Sequence, residues 1–137
     1  MGGAILAGLA ADGSAASLTA TNRSRAKAEA AAGDGIRSIA LEDEPGGNAA
    51  AAAEADIVLL GGDEARAALG TDDPGELRTL LGARPRLVIK SDAHEATEVE
   101  PDGSTVSVPA LSVDVVEPVG AGDGFAAGYL SGVLGGG

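Results

Sequence analysis

The sequence predicts an α/β fold with a mostly parallel sheet, helices on both faces and one β-hairpin. Residues 56–60 and 86–90 are short apolar runs bounded by glycine or proline, which is typical of strands buried in a parallel sheet. Residues 96–100 and 105–109 flank the turn sequence Pro-Asp-Gly-Ser and predict the hairpin. Because helical segments alternate with the apolar runs, the strands are expected to form one layer between two layers of helices.

The elements before residue 56 are short and rich in alanine. Residues 36–41 alternate in polarity, which suits a half-buried strand, and the acidic run at 42–44 marks a solvated loop. Asn48 is expected to cap the helix that follows. The predicted elements of this part are a helix over 1–10, strands at 15–20 and 36–41, and helices over 25–32 and 49–54.

After residue 60 the helix boundaries are marked by capping residues, glycine and proline. Asp63 is expected to cap a helix that ends at Gly70. The segment Thr-Asp-Asp-Pro at 71–74 is expected to cap the next helix, with Pro74 in its first turn. The predicted elements are helices over 64–69 and 74–81, a strand at 86–90, hairpin strands at 96–100 and 105–109, a strand at 111–116, and a helix over 123–134.

The composition excludes several classes of function. The chain of 137 residues has 9 Lys and Arg against 21 Asp and Glu, and a formal charge of −12 disfavours binding to nucleic acid or anionic membranes. The absence of cysteine excludes disulfides and thiolate sites. One Phe, one Tyr and no Trp beside 22 Gly indicate a thin core, as in a marginal or incomplete domain. The apolar stretch 4–11 is too short to span a membrane, so a cytoplasmic protein is expected.

The residues with the clearest chemistry are Gly120, Ala121, Gly122 and Asp123. The small residues allow backbone N–H groups to converge where a helix begins, and the positive end of the helix dipole favours an anion there. A carboxylate beside such an anion hole is able to accept a hydroxyl proton during phosphoryl transfer. The alternative is an ordinary glycine-rich turn with Asp123 as a capping acid.

Residues 115–128, Val-Val-Glu-Pro-Val-Gly-Ala-Gly-Asp-Gly-Phe-Ala-Ala-Gly, closely resemble the second signature of the ribokinase-like (PfkB-type) carbohydrate kinases. The resemblance implies a three-layer αβα ribokinase-like fold, ATP and Mg²⁺ as cofactors, and Asp123 as the catalytic base. It also implies that Gly120, Ala121 and Gly122 bind the γ-phosphate. Over residues 55–134 the chain looks most like kinases of 2-keto-3-deoxygluconate.

Two further segments resemble the nucleotide-binding parts of this family. Glu64 stands where the family has a glutamate that organises Mg²⁺ and phosphate, although Gly61 replaces an asparagine; a plain first-turn acid is the alternative. Lys90, Asp92 and Glu95 fall on the family's nucleotide loop, where two glycines are expected at the acidic positions. Carboxylates there repel a polyphosphate and oppose ATP binding.

A last segment, Asn22, Arg23 and Arg25, resembles the family's Asp-x-Asn-x-Arg segment, which reaches phosphate or an acidic sugar. Ala20 stands in place of the aspartate, and a solvated polar turn is the alternative.

The resemblance implies a kinase that transfers the ATP γ-phosphate to a hydroxyl of a sugar or sugar acid, on one partial domain over residues 1–137. The first alternative is a catalytically impaired fragment or relic of such a kinase, acting as an anion-binding or interaction module. The second is an unrelated α/β domain that binds another anion. No direct protein ligand to a metal is expected, and an incomplete sheet favours a homo-oligomer or a missing partner chain.

Overall fold

The computed structural model describes residues 10–13, 18–33, 35–91 and 95–136, which form two compact units, Met1–Ala55 and Asp56–Gly137. The helix predicted over residues 1–10 and the start of the strand predicted at 15–20 lie outside the described residues, apart from position 10. The expectation of one partial domain over the whole chain stays a prediction.

The first unit is a strand–helix–strand motif followed by a second helix. Strand β1 (Leu18–Asn22) pairs in parallel with β2 (Ile36–Ala40), and helix α1 (Arg25–Ala31) connects them. Ile39 is 2% exposed, so the predicted half-buried strand is confirmed and supplies this unit's core. The last element of the unit is helix α2 (Gly47–Glu54).

The expected capping of α2 by Asn48 is wrong, because the helix begins one residue earlier, at Gly47. A Cβ atom at Gly47 would lie 2.7 Å from Cγ2 of Ile39, so only glycine allows the helix to start this close to β2. The Asn48 side chain instead accepts a hydrogen bond from the Thr21 hydroxyl at 2.7 Å.

The second unit contains a four-stranded sheet in the order β3-β4-β5-β6. Its parallel pair and its hairpin are both as predicted, and the mixed α/β class is confirmed. Strands β3 (Ile57–Gly61) and β4 (Arg86–Ser91) are parallel, and β5 (Glu95–Val99) and β6 (Thr105–Pro109) extend the sheet with antiparallel pairings. The helices are α3 (Gly62–Leu69), α4 (Pro74–Leu81) and α5 (Ala121–Leu134).

The core of this unit lies between the sheet and the helices that connect β3 to β4. Leu77 and Leu81 of α4 and Leu87 of β4 are at most 2% exposed. Alternate residues of a strand face opposite sides of a sheet, so Val88 and Lys90 face away from Leu87. Helix α5 lies on that second face.

The predicted capping of α4 is confirmed and that of α3 is wrong. The Asp73 carboxylate accepts a hydrogen bond from the Glu76 N–H at 2.9 Å, and Pro74 occupies the first turn of α4. Helix α3 begins at Gly62 rather than after Asp63, and its N-cap residue is Gly61. The Asp63 carboxylate binds Arg66, one turn along the helix. The predicted end at Gly70 is confirmed.

The strand predicted at residues 111–116 is wrong. The segment forms no strand, and Leu111, Val113 and Val115 are 87%, 69% and 71% exposed. The described sheet ends at β6, which is itself exposed along its whole length, so the alternating apolar residues find no hydrogen-bonded neighbour there.

Within the described ranges, every helix is too short or too polar to cross a lipid bilayer.

Candidate active site

A cavity of about 450 Å³ lies in the second unit, between the ends of β3 and β4 and the first turn of α5. Gly61 pairs with Lys90 in the register of the two parallel strands, so the start of α3 and Lys90 lie side by side at one sheet edge. Four of the residues that the sequence analysis selected line this cavity: Glu64, Lys90, Gly122 and Asp123.

The first turn of α5 is built as the sequence predicts. Gly120 is the N-cap residue with φ of 80°, a left-handed conformation that favours glycine. The Ala121 N–H donates to the carbonyl oxygen of Pro118 at 3.2 Å. The N–H groups of Gly122 and Asp123 follow in the first turn, where an α-helix leaves its donors without helical partners. Gly122 and Asp123 line the cavity, and the anion hole expected of Gly120, Ala121 and Gly122 stays a prediction.

A positive side chain lies beside this turn. A Cβ atom at Gly122 would be 3.7 Å from Nζ of Lys90, so the ammonium group nearly touches the backbone of α5. The same Nζ lies 5.2 Å from the ring centroid of Phe125, within the range of a cation–π contact. A lysine charge and a helix N-terminus thus converge on one point, and both favour a bound anion.

The Glu64 carboxylate is held in place on the opposite wall. Its Oε2 accepts a hydrogen bond from the Gly61 N–H at 3.1 Å, in a capping interaction at the start of α3. Asp123 is exposed on the first turn of α5, so its carboxylate is accessible from solvent. The cavity accordingly combines three carboxylates, of which Asp63 is paired with Arg66, with one ammonium group and a helix N-terminus. In the part of the chain that the structure describes, no three or more His, Asp or Glu side chains form a cluster able to hold a metal ion.

The predicted nucleotide loop is described only at its ends. Lys90 lines the cavity, and Glu95 is exposed at the start of β5, where it pairs in register with Ser91. Asp92 lies outside the described residues, as does the neighbouring His94. The roles of all three nucleotide-loop residues stay predictions.

Asn22, Arg23 and Arg25 belong to the first unit, where β1 ends and α1 begins. Arg23 is exposed, whereas the Arg25 guanidinium binds the Asp43 carboxylate, with Nε 3.0 Å from Oδ2. The hydrogen bond from Arg25 holds the pKa of Asp43 below its usual value. Arg25 is thus already paired with an acid, and its predicted role toward phosphate or an acidic sugar stays untested.

Two aromatic residues of α5, Phe125 and Tyr129, are not among the predicted site residues. They lie one helical turn apart on α5 with ring centroids 6.5 Å apart, and both also line a second, more apolar cavity of about 710 Å³ over the sheet. The signal was present in the sequence, because these are the only Phe and the only Tyr and they stand at i and i+4.

The sequence matches the pfkB family carbohydrate kinase profile over residues 4–137. The chain belongs to the PfkB carbohydrate kinase family. The glycine-rich turn, Asp123 and Lys90 described above are therefore parts of a PfkB-family domain.

Among solved structures, those of a kinase with a TM-score above 0.5 agree with this assignment. The aminoimidazole riboside kinase from Salmonella enterica is 27% identical with a TM-score of 0.53, over 83% of this chain and 36% of that chain. The same enzyme complexed with aminoimidazole riboside and an ATP analog is 28% identical with a TM-score of 0.53, over 82% and 35%. A PfkB protein from Polaromonas sp. JS666 is 34% identical over 62% of this chain and 27% of that chain, with a TM-score of 0.48. The PfkB-family chain thus spans between about a quarter and a little over a third of the length of these proteins.

Proposed function

We propose that this chain carries the phosphoryl-transfer site of a sugar kinase that moves the γ-phosphate of ATP to a sugar hydroxyl. The observation that supports it best is the approach of the Lys90 ammonium group to Gly122, at the start of the helix that bears Asp123. Lysine charge, unpaired helix N–H groups and a solvent-accessible carboxylate are the groups that phosphoryl transfer requires of a protein.

The γ-phosphate binds at the first turn of α5, where the N–H groups of Gly122 and Asp123 donate to its oxygens. Lys90 adds a positive charge on the same side, which offsets part of the negative charge of the phosphate. Asp123 accepts the proton of the sugar hydroxyl, and the sugar oxygen bonds to the γ-phosphorus. The bond between that phosphorus and the oxygen of the β-phosphate breaks, and ADP leaves with the electron pair.

The residues present fit a magnesium ion that is held mainly by nucleotide and water. Mg²⁺ in phosphoryl-transfer sites takes one or two carboxylates together with phosphate oxygens. Asp63 binds Arg66 and Asp123 is the proposed base, so Glu64 is the candidate carboxylate in the cavity. Bound Mg²⁺ supplies charge neutralisation for the phosphates. The Glu64 carboxylate is already oriented by its hydrogen bond from Gly61, which suits a role through water.

The proposed acceptor is a sugar acid of the 2-keto-3-deoxygluconate type. The support is the likeness of residues 55–134 to kinases of that compound, together with the basic pair Arg23 and Arg25 in the first unit. Arg25 contributes only after its ion pair with Asp43 opens. We also propose a cytoplasmic location and one partial ribokinase-like domain that acts with a second copy or a partner chain.

The test is an ADP-release assay of the purified chain with MgATP and 2-keto-3-deoxygluconate, run beside Asp123→Asn. The matched control is Asp114→Asn, which removes an exposed carboxylate outside the cavity. We expect ADP release by the wild type and by the control, and no ADP release above background by Asp123→Asn. Turnover that survives Asp123→Asn contradicts the assignment of the base.

A non-catalytic anion-binding module is the second candidate, and the acids Asp92 and Glu95, which stand where the family's nucleotide loop has glycine, favour it. The two candidates differ in a thermal-shift measurement. A rise in melting temperature with ATP or inorganic phosphate but no ADP release supports the module, and no rise with either ligand contradicts both candidates.

A further inference from the structure

Helix α5 bears Asp123, yet none of its residues is fully buried. Its half-buried residues form one stripe along the helix, at positions 125, 126, 129, 130 and 133. Two specific contacts on this stripe reach the sheet, from Phe125 to Lys90 and from Tyr129 to Glu98. The position of Asp123 therefore depends on a small number of side-chain contacts.

The contact between Tyr129 and Glu98 is a hydrogen bond of 2.5 Å from the phenol hydroxyl to Oε2 of the carboxylate. Both side chains are half-buried, and a hydrogen bond to a charged acceptor is stronger than one between neutral groups. The nearby Arg86 donates from Nε to the Glu100 carboxylate at 3.1 Å. Arg86 also interacts with the Tyr129 hydroxyl, so the phenol contacts Arg86 of β4 as well as its acceptor Glu98 of β5.

The two contacts on the stripe have matching spacing on the helix and on the sheet. In the antiparallel register Lys90 lies opposite Ala96 and Val88 lies opposite Glu98, so Lys90 and Glu98 project from the same face. One helical turn from Phe125 to Tyr129 advances about 6 Å. Two residues of β4 span about 7 Å. The spacing of the two contact residues along the helix is therefore nearly the same as the spacing of two residues along the strand.

We propose that Tyr129 is a positioning residue of the phosphoryl-transfer site. Its hydrogen bond to Glu98, the Tyr129–Glu98 latch, holds α5 on the sheet and sets the place of Asp123 relative to the cavity. The catalytic consequence rests on the proposed kinase function, whereas the attachment of the helix does not.

The variant Tyr129→Phe removes the hydroxyl and retains the ring that stacks on Phe125. Glu98→Gln removes the charge of the acceptor with almost no change of shape. Glu54→Gln is the matched control, because Glu54 is an exposed acid on α2 in the first unit. Hydrogen exchange of the backbone amides, measured by mass spectrometry, reports the attachment of α5 directly.

Tyr129→Phe is expected to raise exchange in α5 roughly tenfold, the size expected from loss of one hydrogen bond to a charged acceptor. Glu98→Gln is expected to raise it less, because glutamine still accepts the bond without the charge. Exchange in α4 stays as in the wild type, and Glu54→Gln changes neither helix. The double variant Tyr129→Phe with Glu98→Gln is expected to match Tyr129→Phe, because Glu98→Gln acts only through the hydroxyl that Tyr129→Phe already removes. In the kinase assay kcat falls roughly tenfold while KM for the sugar changes less than about twofold, since α5 carries the base and the N–H groups for the γ-phosphate.

Unchanged exchange in α5 of both variants overturns the latch, and so does a rise spread equally over α4 and α5. A kcat that stays at the wild-type value while α5 exchange rises overturns the positioning role. A wild-type chain that shows no turnover contradicts the proposed kinase function alone, because the exchange measurement needs no substrate.

Discussion

The ammonium nitrogen of Lys90 lies 5.2 Å from the ring centroid of Phe125, so the end of a central strand and the first turns of α5 meet at one contact. A cation held against an aromatic ring has fewer available positions than one in open solvent. Here the ring keeps the charge beside Gly122, whose backbone begins the helix. The contact contributes about 0.5–1 kcal/mol.

Replacing Lys90 by Met is expected to weaken MgATP binding about tenfold, because the phosphate loses a nearby positive charge. Isothermal titration calorimetry at low ionic strength measures the effect. The only other lysine, Lys27, is exposed on α1 and gives the matched control Lys27→Met, for which the wild-type affinity is expected. Equal affinities of the two variants would show that Lys90 does not face the phosphate.

Gly120→Ala is expected to destabilise the chain by about 1–2 kcal/mol, the cost of a side chain in the left-handed conformation. A Cβ atom there meets nothing within 4 Å, so the cost comes from the backbone alone. Gly124→Ala is the control, because this glycine lies inside α5 and a Cβ atom also meets nothing within 4 Å. Alanine at that helical position is expected to stabilise by about 1 kcal/mol. Urea unfolding midpoints distinguish the two, and equal midpoints contradict the prediction.

Arg78→Met is expected to lower the free energy of unfolding of the second unit by about 2–4 kcal/mol. The half-buried guanidinium donates to backbone carbonyl oxygens around the end of α4 and the sheet, and the change leaves them without this donor. The acceptors are Gly82, Pro85, Val99 and Glu100, at 2.7–3.1 Å.

The control for this prediction is Arg84→Met, at an exposed arginine whose contact with Asp56 is 3.5 Å long. An exposed ion pair of that length contributes little to stability, so Arg84→Met is expected to lower the free energy of unfolding by less than about 0.5 kcal/mol. Comparable losses from both arginines in chemical denaturation would contradict the assigned role of Arg78.

The pKa of Tyr129 is raised, first by burial and then by its hydrogen bond to Glu98, while Arg86 acts in the opposite direction. The folded chain therefore favours the neutral phenol. This contribution to stability is complete below the ordinary tyrosine pKa of about 10 and is lost as pH rises through the raised value. Since Tyr129 is the only tyrosine, near-ultraviolet absorbance reports its ionisation alone. Glu98→Gln is expected to shift the titration to lower pH, and an unchanged curve would contradict the hydrogen bond.

Elements with strong local signals were predictable from the sequence. The apolar runs of β3 and β4, the Pro-Asp-Gly-Ser turn of the hairpin and the cap of α4 by Asp73 each depend on a few neighbouring residues.

Features that depend on distant contacts were not predictable. Ile39 leaves no room for a Cβ atom at Gly47, the residue where helix α2 starts. Capping residues alone do not reveal this contact. The contact between Tyr129 and Glu98 joins residues 31 positions apart. Residues 111–116 have the pattern of a strand, but a strand also needs an available neighbour, which a single segment of sequence does not specify.

The hairpin and α5 are connected by residues 110–120, an exposed segment without strand or helix. The entropy of closing such a connection grows only logarithmically with its length, by about 0.6 kcal/mol for each doubling. A few inserted glycine and serine residues would therefore hardly change how often α5 meets the sheet. The position of α5 along the strands is set by the contacts of Phe125 with Lys90 and of Tyr129 with Glu98. The length of the connecting segment is therefore free to vary.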